Sequence, residues 1–281
     1  MTRSKLKAVK PKAAEPSKPK VLIYGKPGVG KTWASLDFPN VYYIDTEGGA
    51  DLGHYTDKLE ASGGMYLGVD QGSLDFETII GQLEALATEK HPYKTVVIDS
   101  ISKIYNLEIT KEAERLGDKN GFGADKKPAI ALTKRLISWL NRIDMNVVII
   151  AHEKAEWRNG EQVGDTFDAW EKLEYELHLC LNIIRAANKR LYKVRKSRLT
   201  GFPEGTTSSW SYQDFAEAYG KDIIEKEVKT LTLATKEQIE EINNLLKTVQ
   251  LPDGWLKKCL TKADVVGLQE LATEDIQKLI D

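Results

Sequence analysis

Apolar residues run without interruption through Val21-Leu22-Ile23-Tyr24, Val41-Tyr42-Tyr43-Ile44, Val96-Val97-Ile98 and Val147-Val148-Ile149-Ile150-Ala151. Each run closes on a turn-forming or polar residue: Gly25, Asp45, Asp99 and His152. Short runs with no polar alternation predict strands covered on both faces. The expected strands are Val21–Tyr24, Val41–Asp45, Thr95–Asp99 and Asn146–Ala151. Between them the apolar spacing becomes helical. Phe76, Ile79, Ile80, Leu83 and Leu86 predict a helix over Phe76–Glu89, and Ile130, Thr133, Leu136, Ile137 and Leu140 predict another over Ala129–Ile143. A helix over Thr32–Phe38 stops at Pro39, and a helical stretch after Asp99 is broken by Gly117–Pro128. Strands that alternate with helices predict an α/β fold with a mostly parallel central sheet flanked by helices.

Past residue 175 the texture changes. Tyr175–Arg185 and Arg190–Arg195 predict two further strands, antiparallel, joined by a tight turn containing Asn188. A composition shift near Thr232 introduces three or four short helices over 235–281. Thr235 with Gln238 forms a capping-box signature, Thr261 and Thr273 are further N-cap candidates, and Ile239, Ile242, Leu245 and Leu246 make the first apolar stripe. The expected organisation is therefore a basic tail at 1–19, a core at 20–224, a linker at 225–234 and a small helical module at 235–281. Lys, Pro and Ala dominate the tail, which lacks the apolar surface to offset its ordering entropy, so disorder is expected there.

Bulk composition narrows the class only by exclusion. The chain has 281 residues, 41% of them apolar and 29% charged, with a formal net charge of −2, so a basic surface for nucleic acid has to be local. No apolar run is long enough to span a membrane, and no apolar segment follows the basic N-terminus as in a secretory signal. Cys180 and Cys259 stand far apart with no CxxC or Cys/His cluster, which fits a reduced, cytoplasmic protein without structural zinc.

The chemistry begins at Gly25-Lys26-Pro27-Gly28-Val29-Gly30-Lys31-Thr32, a full GxxxxGK[ST] pattern. It sits between a predicted strand and a predicted helix, the setting in which such a loop works. Its glycines let successive backbone N–H groups turn toward phosphates, and the helix N-terminus adds its dipole. Lys31 reaches the β- and γ-phosphates of ATP, and the Thr32 hydroxyl holds Mg²⁺. Asp99, at the end of Val96-Val97-Ile98, has the Walker B arrangement, a carboxylate at a strand tip that holds the Mg²⁺ shell.

Four segments in order carry a resemblance: the loop Gly25–Thr32, Tyr43-Ile44-Asp45-Thr46-Glu47-Gly48, Val97-Ile98-Asp99-Ser100 and Ile149-Ile150-Ala151-His152-Glu153. Together they make residues 20–215 resemble the RecA-like P-loop ATPase core. More narrowly, they resemble the phage-encoded nucleotide-binding proteins of that class that act in single-strand annealing. The resemblance implies that Glu47 activates the attacking water, with Asp45 as the alternative base. It also implies that His152 senses the γ-phosphate, although glutamine is the usual occupant in RecA itself.

The same resemblance implies two DNA-binding loops. One lies over Glu114–Pro128 with Arg115, Lys119, Lys126 and Lys127. The other lies over Lys154–Asp168 with Trp157 and Arg158, although Glu153, Glu156, Glu161, Asp165 and Asp168 make it acidic. A basic pair reaching a neighbour's γ-phosphate is implied as well: Lys196 and Arg198, with Lys193 and Arg195 as the second candidate. No large flanking domain like that of RecA accompanies the core. The expected activity is thus an ATPase stimulated by single-stranded DNA, acting in annealing or strand pairing as a ring or filament of its own copies. If the chain is phage-encoded, its setting is the host cytoplasm. The helical module either binds a partner, such as a single-stranded-DNA-binding protein, or caps the core. A hexameric helicase-like motor or loader is the alternative. A small-molecule kinase fits less well, because it has no use for Glu47 or Lys196 and Arg198.

Overall fold

The structure, a computed structural model, describes residues 16–49 and 53–281. The first strand, β1 (Lys20–Gly25), is buried along its whole length. Helix α1 (Lys31–Ser35) follows the phosphate loop, and β2 (Val41–Asp45), α2 (Gly53–Ala61), β3 (Met65–Leu67) and α3 (Phe76–Thr88) come next. Then come β4 (Thr95–Asp99), α4 (Ile101–Leu116), α5 (Lys126–Arg142) and β5 (Asn146–Arg158). The chain continues through β6 (Glu161–Phe167), α6 (Leu173–Glu176), β7 (Leu179–Ala186), β8 (Lys189–Ser197) and β9 (Thr207–Ser209) to α7 (Tyr212–Tyr219) and α8 (Lys221–Glu225).

The sheet runs in the order β3-β2-β4-β5-β1-β7-β8-β9, and β6 pairs with β5 off that path. From β3 to β7 every pairing is parallel; β8 and β9 are added antiparallel. This is a mostly parallel α/β sheet flanked by helices, with β5 standing between the phosphate-loop strand and the Asp99 strand. Register brings the chemistry to one edge: Gly25 lies opposite His152, Asp45 opposite Asp99, and Asp99 opposite Ile150. One core packs α3 and α5 on one face of the sheet, with Ile79, Leu83, Leu136 and Trp139 at its centre. The other face is covered by an aromatic layer of Phe38, Phe202 and Phe215.

The expected apolar runs all form strands, and α3 begins one residue after the N-cap Asp75, whose carboxylate accepts from Thr78 N at 2.8 Å. Two expectations change. Residues 1–15 of the expected tail lie outside the described residues, but 16–19 already belong to the fold. Lys18 is buried with its ammonium on the Lys226 carbonyl, and the Pro19 carbonyl accepts from Val147 N at 2.8 Å. Lys20 is buried as well and donates to the carbonyls of Ile143 and Met145 at 2.8 and 2.9 Å. Lys20 satisfies backbone carbonyls left open between α5 and β5, and Lys18 one just past α8, so local basicity here does not mean a solvated tail. Second, Tyr175 and Glu176 belong to α6, so the strand expected from Tyr175 starts only at Leu179.

The C-terminal region holds α9 (Lys236–Thr248), α10 (Trp255–Ala263) and α11 (Thr273–Ile280) around Ile242, Leu268, Leu271 and Ile276. The Thr235–Gln238 capping box forms, with N–H to side-chain distances of 3.1 and 3.2 Å. Thr261 lies inside α10, where its hydroxyl bonds the Lys257 carbonyl at 2.8 Å, and Thr273 follows the true cap position, Ala272. The segment at 225–234 packs Val228, Leu231 and Leu233 against the main core, and Leu231 N donates to Ala87 O at 2.7 Å. Glu270 ties the module to α5 through Arg135 at 3.4 Å. Among the described residues, no helix is long and apolar enough to cross a membrane.

Candidate nucleotide-binding and hydrolysis site

β1 ends on Gly25 because nothing larger fits. A Cβ there would stand 2.3 Å from the Ile183 carbonyl oxygen of β7. The loop then turns through Gly28 and reaches α1 at Gly30, whose φ of 92° lies in the left-handed region that favours glycine. Lys26, Pro27 and Gly28 are exposed at the loop's crest, and Val29 packs beneath it. Lys31 curls over its own loop, its ammonium 2.9 Å from the carbonyls of both Gly25 and Lys26. Burial lowers the Lys31 pKa, and the carboxylates of Asp99, Glu47 and Glu153 oppose that shift.

Thr32 donates its hydroxyl to Asp99 Oδ2 at 2.6 Å, and Tyr43 donates to the same oxygen at 3.0 Å. Burial is the main cause that pushes Asp99 up to about 6; Glu47 and Asp45 add to it, while the Thr32 and Tyr43 hydrogen bonds oppose it. A buried carboxylate whose ionisation is disfavoured gains from a nearby cation. Thr32 and Asp99 therefore fit Mg²⁺, which keeps waters and takes phosphate oxygens in place of an all-protein cage. Accordingly, no group of three His, Cys, Asp or Glu side chains suited to a metal occurs among the described residues.

Beyond the tips of β2 and β4, Glu47 and Ser100 converge with His152, midway along β5. Glu47 Oε1 receives the Ser100 hydroxyl and is hydrogen-bonded to His152 Nε2, while Ser100 Oγ lies 3.4 Å from the same ring nitrogen. Thr46 holds this corner together: its hydroxyl accepts from Ser100 N at 2.7 Å and donates to Ser100 O at 2.9 Å. The His152 hydrogen bond lowers the Glu47 pKa, and the Glu47 hydrogen bond raises that of His152. Asp45, the alternative base, instead shapes the turn, accepting from Glu47 N at 2.9 Å and Gly48 N at 3.0 Å. The arrangement can hold phosphates on the loop, a cation beside Thr32 and Asp99, and a water beside Glu47.

The basic candidates lie elsewhere. Lys196 pairs with Cys180 near the start of β7, at the end of the sheet remote from Gly25. Its ammonium rests on the Leu177 carbonyl and the Arg198 guanidinium on the Tyr175 carbonyl. Neither side chain meets the phosphate loop of its own chain. Lys193 is exposed, whereas Arg195 ties β8 to α6 through Glu174 at 3.0 Å and to the β5–β6 hairpin through Glu156 at 3.4 Å.

Of the expected DNA loops, the first is the tip of a helical hairpin. Burial fades along α4 after Tyr105 and resumes on α5 at Ala129, leaving residues 117–125 at the outer turn. Lys119, Lys126, Lys127 and the fully exposed Phe122 surround it, and Arg115 is paired with Glu112 at 2.6 Å. The second is a correction: Lys154–Asp168 forms a β-hairpin, with Glu153 opposite Phe167 and Arg158 opposite Glu161. Asn159 and Gly160 turn it with φ of 53° and 84°, the Asn-Gly signature that the sequence carries and that predicts such a hairpin. Trp157 is 63% exposed on it, and Arg158 bonds Glu156 at 2.8 Å. Lys154 pairs with Asp168 at 3.0 Å, so part of the hairpin's acidity is neutralised within it.

Two neighbours of the site escaped sequence reading. The Tyr43 hydroxyl on Asp99 looks like a core aromatic in sequence. Arg190, opening β8, has its Nε 3.3 Å from the Val29 carbonyl, and long-range strand pairing alone brings it there.

The AAA domain family matches the chain over residues 17–200. No curated protein matches it. Among solved structures it is similar to the RadB recombinase, at 20% identity over 70% of this chain and 88% of that one, with a TM-score of 0.47. It is also similar to a prototypical ATPase from the type III secretion system of pathogenic bacteria, at 11% identity over 94% of this chain and 80% of that one, with a TM-score of 0.44.

Proposed function

The chain belongs to the AAA domain family, and on that footing we propose that this P-loop ATPase is an ATP-dependent single-stranded-DNA-binding recombination protein. It anneals or pairs strands, and it hydrolyses ATP at interfaces between its own copies. The observation that carries this reading is the path of β5. One strand bears His152, bonded to Glu47 beside the phosphate loop, and five residues on, just past a register shift between Glu156 and Trp157, bears the exposed Trp157. A change at His152 is thereby transmitted through backbone to an aromatic surface suited to stacking a base.

In this account the loop Gly25–Thr32 binds the phosphates of ATP, and Lys31 leaves its carbonyl partners to meet them. Thr32 and Asp99 would hold Mg²⁺, which would supply charge neutralisation at the phosphates. Glu47 orients the attacking water and takes its proton, with Ser100 and His152 fixing the carboxylate until nucleotide arrives. Lys196 and Arg198 stand too far from their own loop to touch it, so their part is to cross to a neighbour's nucleotide, where cations stabilise the transferring phosphoryl group. The DNA path runs from the tip at 117–125, with Lys119, Lys126 and Lys127, to Trp157 and Arg158. The C-terminal module, docked on α5, serves as a place for a partner such as a single-stranded-DNA-binding protein.

The test is imaging and turnover together. Protein with ATP and single-stranded DNA forms rings or filaments and hydrolyses ATP faster than without DNA. Monomers with DNA-independent turnover refute the reading, and unwinding of a forked duplex reassigns the chain to a motor.

A further inference from the structure

β8 returns toward the phosphate loop through the two-residue turn Ala187-Asn188, and its second residue is Arg190. The guanidinium lies against Gly30: a Cβ built on Gly30 would fall 2.5 Å from both Nε and Nη2. Nε points at the Val29 carbonyl, 3.3 Å away, and the side chain is half-buried. The strand beneath is fixed, because the Arg190 carbonyl accepts from Trp210 N at 2.9 Å and the next residue, Leu191, pairs with Ser209 of β9. A cation is therefore held on the rim of the phosphate cradle by backbone pairing rather than by a flexible loop.

Among the described residues, no carboxylate forms an ion pair with Arg190. That is unlike Arg195 on the same strand, which is spent on Glu156 and Glu174. Guanidinium offers its donors in a fixed plane. With Nε turned to the loop, the Nη groups keep donor capacity at the rim. The strand-end location also differs from that of Lys196 and Arg198, which face the far end of the sheet.

We propose that Arg190 is a nucleotide-binding residue acting within its own chain, contacting the diphosphate part common to ATP and ADP. This rests on the reading of Gly25–Thr32 as the phosphate loop. Lys31 rests on the Gly25 and Lys26 carbonyls and Arg190 on the Val29 carbonyl, so the two cations reach the loop at different points, and Gly30 is glycine in part so that the guanidinium can lie on it. The contact is to bound nucleotide in its ground state, so it sets affinity rather than the rate of phosphoryl transfer.

The experiment is titration of a fluorescent ADP and a fluorescent ATP into the full chain, into Lys31→Ala, and into Arg190→Gln and Arg190→Lys, with thermal midpoints as the check on folding. Glutamine keeps an N–H for the Val29 carbonyl but carries no charge; lysine keeps the charge. Arg190→Gln is expected to bind both nucleotides about tenfold more weakly, with Arg190→Lys between it and the parent chain, as for loss of one charge-assisted hydrogen bond. Wild-type affinity in Arg190→Gln, with binding lost in Lys31→Ala, overturns the proposal and leaves the phosphate loop standing. Weakening for ATP with none for ADP overturns it as well. If the parent chain binds neither nucleotide, the loop reading itself falls.

Discussion

Glu47 and His152, 105 residues apart in sequence, share a hydrogen bond between the turn after β2 and the middle of β5, with the Ser100 hydroxyl on the same carboxylate oxygen. β4 separates their strands, so the contact exists only because the sheet order sets the ends of β2 and β4 in line with the middle of β5. The pair makes the proposed hydrolysis site responsive to what lies beside it, since any group that takes a hydrogen bond from His152 changes what Glu47 can do.

The charge state of this pair gives a pH signature. The His152 pKa is raised above 6.5, so its contribution to stability is full below that value and fades as pH climbs through the raised pKa. The Glu47 pKa is lowered below 4.5, so its contribution is full above that value and fades as pH drops through the lowered pKa. Thermal midpoints of the parent chain and of Glu47→Gln, compared across pH, should differ most between 4.5 and 6.5 and converge on either side. A difference that does not vary with pH would show that the two side chains are not coupled.

Glu47→Gln should separate binding from chemistry. The amide keeps a hydrogen-bonding oxygen for Ser100 and His152 but cannot accept a proton. Loss of a general base lowers turnover by roughly 10²- to 10⁴-fold. Nucleotide affinity, measured by fluorescence titration, should stay within about threefold of the parent chain, a change of less than ~1 kcal/mol. Turnover near the parent rate would move the base elsewhere.

Asp99 tests the cation. Asp99→Asn keeps the shape and an oxygen for the Thr32 and Tyr43 hydroxyls, and removes the charge. Chelation of Mg²⁺ should abolish turnover in the parent chain. Asp99→Asn should lower it by about a hundredfold or more, with a higher Mg²⁺ concentration needed for half-maximal rate. An unchanged Mg²⁺ requirement would exclude Asp99 as a ligand.

Trp157 tests the DNA surface. A base stacked on an aromatic side chain is worth ~1–3 kcal/mol, so Trp157→Ala should weaken single-stranded-DNA binding by roughly 5- to 150-fold in a fluorescence anisotropy titration. Trp157→Phe should recover much of it, because the ring survives. Equal affinities for all three proteins would remove the hairpin from the DNA path.

Much of this was legible in the sequence because the information is local. Unbroken apolar runs mark strands that a parallel sheet covers twice, and the glycine spacing of 25–32 is a backbone requirement written directly in residue types. The Asp99 position follows from a strand's end. What escaped depends on distant pairing. Arg190 looks like one more cation on a basic edge, and only the antiparallel return of β8 carries it to Gly30. Lys18 and Lys20 look like tail and prove to be buried on carbonyls. The hairpin at Lys154–Asp168 was readable from Asn159-Gly160, but its charged residues, six of them from Lys154 to Asp168, favour a solvated loop over a strand pair.

The account stands on the link from the phosphate loop through Glu47, His152 and β5 to DNA. Its most direct test is steady-state ATP turnover of the parent chain with and without single-stranded DNA at one fixed salt concentration. Turnover that rises with DNA and saturates at a definite nucleotide-to-protein ratio is the predicted result. Turnover that is measurable but indifferent to single-stranded DNA at every concentration would contradict it.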